Sequence, residues 1–529
     1  MPKVLICDPV SDDGLALLEP HAEVIVKTGL TQDELIKEVP HYDALMVRSQ
    51  TKITRAVIEA ASKLQIIGRA GVGVDNIDVP AATERGVIVV NSPAGNTVAV
   101  AELVIGMMLA LVRRLVPASQ SVHAGEWKRS AFLGSQLYGK TLGIVGAGKI
   151  GIEVARRAQS FGMDVLAYDP FLTTERARQL NIEACSVDEI LERADFITLH
   201  TPLTPETKGM INAAAIKKMK TGAFILNCAR GGIIDETALF EALQNGKLGG
   251  AGLDVYEVEP PQNSPLLALD NVVTTPHLGA STEEAQVEVA VDVARQIVEV
   301  LNGRPPQSAV NLPSLPPETR EFLSPYLPLM EKLGRLQAQA NSPGRIEKVE
   351  LAFGGELSEY DTSALTRVFL KGLLQSSLEQ VSYVNAPQLA KARGLAVDES
   401  KSEKAEGYAN LIETRVFQQR KGELRARQVD GTLINGQPFI VGIQGLRVDV
   451  KPEGTLLIIF NTDRPGVIGV VGTILGDAGV NIVGMHVGRQ ETGGRAVMVV
   501  TLEEPASPEV LEKINAYPDL FGPRQVDLR

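Results

Sequence analysis

Two series of short apolar runs, separated by longer segments of helical character, constrain this chain more than any other feature. The first is VLICD (4–8), VIVKT (24–28), ALMVR (44–48), IIGRA (66–70) and VIVVN (87–91). Runs that are apolar throughout, rather than alternating, suit strands covered on both faces, so this series predicts a five-stranded parallel α/β unit. The second is TLGIV (141–145), MDVLAY (163–168), DFITLH (195–200), AFILN (223–227), GAGLDV (250–255) and NVVTT (271–275), which predicts six strands with helical crossovers.

Between the series, Leu103–Val112 is a ten-residue apolar run bounded by charge, too short to span a bilayer and read as a buried helix. Beyond them, 283–301 carries Val287, Ala290, Val291, Ala294, Ile297, Val298 and Leu301 at helical spacing. The Pro-rich stretch 303–318 then predicts a linker, because repeated proline removes donors and disfavours helix in the residue before it. Residues from 319 to about 452 read as an α+β module, and the last stretch reads β-α-β-β-α-β, a ferredoxin-like order. The domains expected are 1–97 completed by 284–312, 98–283, 313–452 and 453–529.

GIVGAGKIG places Gly146, Gly148 and Gly151 directly after an apolar strand and before a helical pattern. In that context Gly146 permits the tight turn, Gly148 admits a pyrophosphate to the backbone, and Gly151 lets helix pack on strand, which predicts a dinucleotide site. Asp169 follows the next strand at the distance of a ribose-binding acid, and a carboxylate there repels a 2′-phosphate, which favours NAD over NADP. The competing reading of Asp169 is a turn-forming residue before Pro170.

Three further features fall at carboxyl ends of successive strands, where open α/β sheets place ligands: Arg230 in NCARGG, Glu257 and Glu259 in LDVYEVEPP, and His277 in PHLGAST. Oxidising a 2-hydroxy acid needs a base for the hydroxyl proton, a cation for the carboxylate, and a hydride acceptor. His277 supplies the base, a carboxylate on its far nitrogen fixes the tautomer, and Arg230 offers a planar charged fork.

These segments resemble the D-isomer-specific 2-hydroxyacid dehydrogenases over residues 1 to about 312. The resemblance implies two doubly wound parallel-sheet lobes, a flavodoxin-like substrate lobe and a Rossmann cofactor lobe, with NAD as cofactor. It selects Glu259, which immediately precedes proline, over Glu257. It also implies cofactor contacts at Lys149, Ile150, Thr201, Cys228, Ala229, Asp254 and Gly279, alongside Arg230 and His277. Within the family the chain looks like the long members that add an α+β intervening domain and a ferredoxin-like ACT domain. That implies 3-phosphoglycerate as substrate, with Arg48 and Arg69 on the phosphate, Gly71, Gly73 and Asn96 around the carboxylate, and Arg129 serving across a dimer interface. Val72 stands where some relatives carry a cofactor-contacting Thr. FNTDRPGVIGVVGTILGDAGVNIVGMH (460–486) resembles the ACT domain, which implies L-serine as effector held by Asp463 and Asn481, and a homo-oligomer, a tetramer built from dimers. Asn461 departs from the His or aromatic residue of some relatives, and Arg447 or Lys451 offers an anion contact in the intervening domain.

A formal net charge of -12 argues against nucleic acid as a partner. Cys7, Cys185 and Cys228 show neither metal spacing nor a disulfide framework, and MPKVLICDPV lacks targeting features, so no metal, no membrane and a cytoplasmic location are expected. Two other readings stay open: a glyoxylate or hydroxypyruvate reductase, which leaves everything after Leu312 unexplained, and a non-catalytic NAD-sensing corepressor-like scaffold.

Overall fold

The computed structural model describes residues 1–529 except 314, 341–343, 379 and 421–422, and of residue 420 only the backbone. Residue 314 of the Pro-rich stretch therefore lies outside the described residues. The first series forms a five-stranded parallel sheet in the order Glu23–Val26, Lys3–Ile6, Ala44–Val47, Ile66–Arg69, Ile88–Asn91. This 2-1-3-4-5 order is flavodoxin-like. The inner strands are buried along their length, which is why their sequences do not alternate.

The second series forms a parallel sheet of seven strands, not six, in the order Val272–Thr274, Leu248–Leu253, Ala223–Asn227, Phe196–Leu199, Thr141–Val145, Asp164–Tyr168, Glu183–Ala184. The added edge strand has two residues, both exposed, so it carries no hydrophobic signal. The strand order reverses beside Thr141–Val145, and that switch point opens the crevice where open α/β sheets bind ligands. The apolar helix Thr97–Val112 packs on helix Lys149–Ser160 and strand Leu248–Leu253, buried as expected.

Helix Glu283–Leu301, capped by Thr282 Oγ1 accepting from Ala285 N at 3.2 Å, crosses back to the first sheet and packs on helix Asp12–Leu18 and strand Ile66–Arg69. Its buried face runs through Ala285, Val289, Ala290, Val293, Ala294 and Ile297, whereas Val287 is exposed. The stripe is thus rotated from the one the sequence suggests, because valine and alanine occur on both sides of this helix. Each large aliphatic side chain so buried contributes about 1.5–3 kcal/mol. Val310 N donates to Val89 O at 2.7 Å, so the segment after this helix also closes on the first sheet.

The C-terminal half holds a six-stranded mixed sheet and a four-stranded antiparallel sheet. The latter runs Ile482–Arg489, Arg495–Leu502, Thr455–Thr462, Leu520–Asp527, the ferredoxin-like order. Strand alternation gives this sheet two apolar faces. Leu457, Ile459, Met498 and Val500 pack with helices Val467–Asp477 and Pro508–Asn515. Leu456, Ile458, Val497, Val499 and Val526 instead join one continuous core with Leu329, Leu333 and Leu336 of helix Leu327–Ala340 and with the mixed sheet. Among the described residues, no helix is long and apolar enough to cross a membrane.

Candidate active site

Strand Thr141–Val145 ends in a turn that only glycine fits. Gly146 has φ +101°, its N–H donates to Tyr168 O at 2.8 Å, and a Cβ there would lie 2.5 Å from His200 O. A Cβ on Gly151 would lie 2.2 Å from Gly146 O, so helix Lys149–Ser160 packs hard against the turn. At Gly148, by contrast, nothing stands within 4 Å of a Cβ. The helix N-terminus therefore faces open space at the one glycine where a pyrophosphate must approach. Lys149 is exposed at that end, and Ile150 turns onto the lobe's core.

Asp169 follows strand Asp164–Tyr168. Its Oδ1 accepts from Phe171 N at 2.8 Å, so it forms the local turn with one oxygen. Thr201 Oγ1, past the end of strand Phe196–Leu199, is buried without a hydrogen-bond partner. Beside it His200 bonds Thr198 Oγ1 through Nε2 at 3.0 Å, leaves Nδ1 unpartnered, and is held neutral by burial, which lowers it to about 4. These orphaned polar atoms at the switch point fit a bound polar cofactor.

Strand Ala223–Asn227 delivers Arg230 through a turn clamped by the buried Asn227. Its Oδ1 accepts from Ala229 N at 3.1 Å and its Nδ2 donates to Arg230 O at 2.8 Å. Cys228 is buried, its Sγ 3.7 Å from Met107 Sδ, and burial pushes its thiol up. The Gly231-Gly232 pair that follows serves the backbone rather than the guanidinium. Gly231 makes room for the backbone, since a Cβ there would lie 1.8 Å from Tyr256 O, and Gly232 takes φ +79°.

The Arg230 guanidinium reaches the other lobe. Nε donates to Asp75 Oδ2 at 3.1 Å, and a Cβ on Gly73 would lie 2.0 Å from Nη2. Gly71 accommodates Arg69 in the same way, 2.0 Å from Nη1. Arg69 is held at about 10, first by burial and then by Arg230 and Arg48, with Asp75 and Asp8 acting the other way, and its Nε is buried without a partner. Arg48 is set by the buried Asp8, whose Oδ2 accepts from Arg48 N at 2.5 Å, and Arg48 Nη1 donates to Pro9 O at 3.3 Å. The structure thus gathers Arg48, Arg69 and Arg230 at one cleft. Asn96 Oδ1 is buried without a partner just before helix Thr97–Val112. Arg129 lies apart from that set in the sequence, on the exposed turn Arg129–Phe132.

His277 has φ +57°, and its Nδ1 lies 2.8 Å from Glu259 Oε2. Glu259 Oε1 accepts from Tyr256 N at 3.1 Å, which fixes the carboxylate. Glu257 has no hydrogen bond to His277 among the described residues, and its backbone N–H donates to Glu236 Oε1 at 2.6 Å. Asp254 is fully buried. Its Oδ1 accepts from Thr275 Oγ1 and Leu278 N, both at 2.6 Å, and its Oδ2 from Gly279 N at 2.9 Å, so it anchors the loop carrying His277. His277 is thus engaged through Nδ1 by a carboxylate that Tyr256 N holds in place. No group of His, Cys, Asp and Glu able to hold a metal occurs among the described residues.

In the ACT-like module the two expected effector ligands are already engaged. Asp463 Oδ2 accepts from Arg489 Nη1 at 2.8 Å, which holds its carboxyl below the usual range, and Asn481 Nδ2 donates to Glu503 Oε2 at 2.7 Å. Arg447 lies over the Tyr408 ring, 5.3 Å from its centroid. Sequence reasoning missed Asp75, Asp8 and His200. An acid inside GVGVDNID, between runs otherwise suited to anions, was the available signal for the first.

Three family models match the chain: D-isomer specific 2-hydroxyacid dehydrogenase, NAD binding domain, at 105–279; D-3-phosphoglycerate dehydrogenase intervening domain at 322–444; and ACT domain at 455–519. The D-3-phosphoglycerate dehydrogenase of Methanocaldococcus jannaschii is 48% identical over 522 residues, covering 98% of either chain. That of Bacillus subtilis is 43% identical over 529 residues, covering 99% of either chain. Among solved structures, the D-lactate dehydrogenase of Aquifex aeolicus complexed with NAD and lactic acid is 29% identical at TM-score 0.54, covering 59% of this chain and 100% of that one. The NAD-dependent formate dehydrogenase of Staphylococcus aureus in complex with NAD is 31% identical at TM-score 0.53, covering 59% and 100%.

Proposed function

The chain belongs to the D-3-phosphoglycerate dehydrogenase family of D-isomer-specific 2-hydroxyacid dehydrogenases, and on that premise we propose that Arg230, Glu259 and His277 carry its chemistry. It is an NAD-dependent enzyme that oxidises D-3-phosphoglycerate to 3-phosphohydroxypyruvate, the first step of L-serine biosynthesis. Gly146, Gly148 and Gly151, with Lys149, Ile150, Asp169, Thr201, Cys228, Ala229, Asp254 and Gly279 around them, would hold the cofactor. Bound NAD supplies the acceptor for the hydride leaving C2.

The protein's own share is positioning and proton transfer. Arg230 grips the carboxylate and the C2 oxygen with its fork, while Arg48 and Arg69 take the phosphate and the glycine loop 71–73 lets all these groups approach. His277 Nε2 removes the hydroxyl proton, and Glu259 stabilises the imidazolium through Nδ1. The observation that carries this reading is the 2.8 Å pair of His277 and Glu259 at a strand end adjacent to that of Arg230. NADH formation from D-3-phosphoglycerate and D-glycerate tests it. A preference for the phosphorylated acid that disappears in Arg69→Gln is expected, and a preference that survives there removes Arg69 from the phosphate site.

Residues 1–97 with 284–312 act as the substrate lobe, supported by the packing of helix Glu283–Leu301 on the first sheet. Residues 98–283 hold the cofactor, 313–452 form the intervening domain and 453–529 the ACT domain. The enzyme is a homo-oligomer, a tetramer built from dimers, supported by an exposed apolar stretch in which Trp127 is 80% and Leu133 88% exposed, with Leu115, Val122 and Tyr138 alongside. Arg129 sits on that stretch, suited to reach a partner's cleft. L-serine acts as feedback effector at the ACT domain, where it must compete with Arg489 for Asp463 and with Glu503 for Asn481. Three free, well-separated cysteines suit the cytoplasm. Activity measured with and without L-serine, on protein sized by light scattering, tests the regulatory and oligomeric parts.

A further inference from the structure

A cavity of 590 Å³ lies away from the catalytic cleft, where the Pro-rich linker passes between the first sheet and helices Leu327–Ala340 and Ser363–Leu374. Its volume is in the range of small-molecule sites. Leu315, Leu323, Val368 and Tyr383 give it an apolar wall, while Arg304, Arg320, Arg367 and Lys371 line it with positive charge. Glu331 is the acid in this lining, and both its oxygens are spent, one on Arg335 at 2.8 Å and the other on Lys371 at 3.0 Å.

The three arginines are less committed. Arg320 Nη2 donates to Leu315 O at 3.3 Å and Arg367 Nη1 to Val384 O at 3.4 Å, and none of the three has a carboxylate within ion-pair distance among the described residues. Glu299, near Arg304 and Arg320, and Asp361, near Arg367, act only through space. Arg367 is half-buried, and that burial lowers it from its usual range.

The cavity is also wired to the substrate loop. Ser308 and Asn91 both line it. Ser308 N donates to Oε1 of the fully buried Gln296 at 2.8 Å, and Gln296 Nε2 donates to Asn91 O at 3.0 Å. Asn91 Nδ2 in turn donates to Val72 O, between Gly71 and Gly73.

We propose that this cavity is an effector site for a small organic anion with an apolar body, its acid group held by Arg320 and Arg367. Occupancy reaches the Gly71–Gly73 loop through Ser308, Gln296 and Asn91. The apolar wall disfavours a bare inorganic anion, and the unpaired guanidiniums disfavour a neutral ligand.

Calorimetric titration of the full-length protein with hexanoate, hexanol and inorganic phosphate tests the site. Hexanoate should bind wild type and Arg230→Lys alike, about tenfold more tightly than hexanol or phosphate, and about tenfold more weakly in Arg320→Gln/Arg367→Gln. Equal affinity in the double variant, loss of binding in Arg230→Lys alone, or no binding at all overturns the proposal. If the double variant does not fold, the single variants Arg320→Gln and Arg367→Gln decide, with unchanged affinity in both counting against the site. Hexanoate should also shift the KM for 3-phosphoglycerate in wild type but not in Gln296→Met or the double variant. A shift that persists in the double variant is competition at Arg230, and no shift despite binding removes the wiring.

Discussion

Arg230 and Asp75, 155 positions apart in sequence, meet across the cleft with Nε 3.1 Å from Oδ2, so a carboxylate of the first lobe already engages the guanidinium proposed to hold the substrate. Asp75 is exposed and the pair partly so, which limits its worth to about 0–1 kcal/mol. Asp75→Asn should therefore lower KM by about two- to fivefold with kcat little changed. A kcat that falls with KM unchanged would instead make Asp75 a positioning group for Arg230. Arg230→Lys keeps the charge but loses the bidentate fork, and kcat/KM should drop about a hundredfold in the same assays.

The His277–Glu259 pair predicts unequal losses. His277→Ala removes the base and should cut kcat by about 10²–10⁴. Glu259→Gln still accepts a hydrogen bond from Nδ1 and should lose about tenfold to a hundredfold. Both should leave NADH affinity unchanged when followed by fluorescence titration.

Glycines at the two turns should separate binding from folding. Gly148→Ala adds a methyl to open space and should unfold near wild type while weakening NADH binding. Gly231→Ala forces a Cβ toward the Tyr256 carbonyl and should destabilise the fold by about 1–3 kcal/mol or more in thermal unfolding.

Asp430, in the mixed sheet of the intervening domain, is pushed up from 3.8 to about 6, chiefly by burial. Its native form holds a proton that the unfolded chain has released, so the cost to stability is absent below about pH 4, grows as pH rises, and is complete above about pH 6. Asp430→Asn keeps an acceptor for Gln428 Nε2 and should stabilise the protein by about 1–2 kcal/mol at pH 8 and by nothing at pH 3.5. Thermal melts at the two pH values check this.

What was legible in the sequence was local. Gly146, Gly148 and Gly151 announce the turn by a pattern complete within six residues, and the strand-end positions of Arg230, Glu259 and His277 follow from short apolar runs that precede them. Glu259 and His277 meet, while Glu257 offers Glu236 only its backbone N–H. What was hidden depends on partners distant in sequence. Asp75 meets Arg230, Asp8 meets Arg48, and Arg489 and Glu503 take up the two residues read as free effector ligands. The rotated face of helix Glu283–Leu301 has another cause, since valine on both sides leaves periodicity undecided.

The apolar face that the ACT sheet turns toward helix Leu327–Ala340 makes the chain's last two modules mechanically one object. Sequence similarity divides them, but a cut near 453 would strip a hydrophobic plate rather than release an independent part. That joint body also rests on the first lobe beyond the proline linker, since Val384 enters the first lobe's core and Asn385 Nδ2 donates to Glu84 O at 3.3 Å.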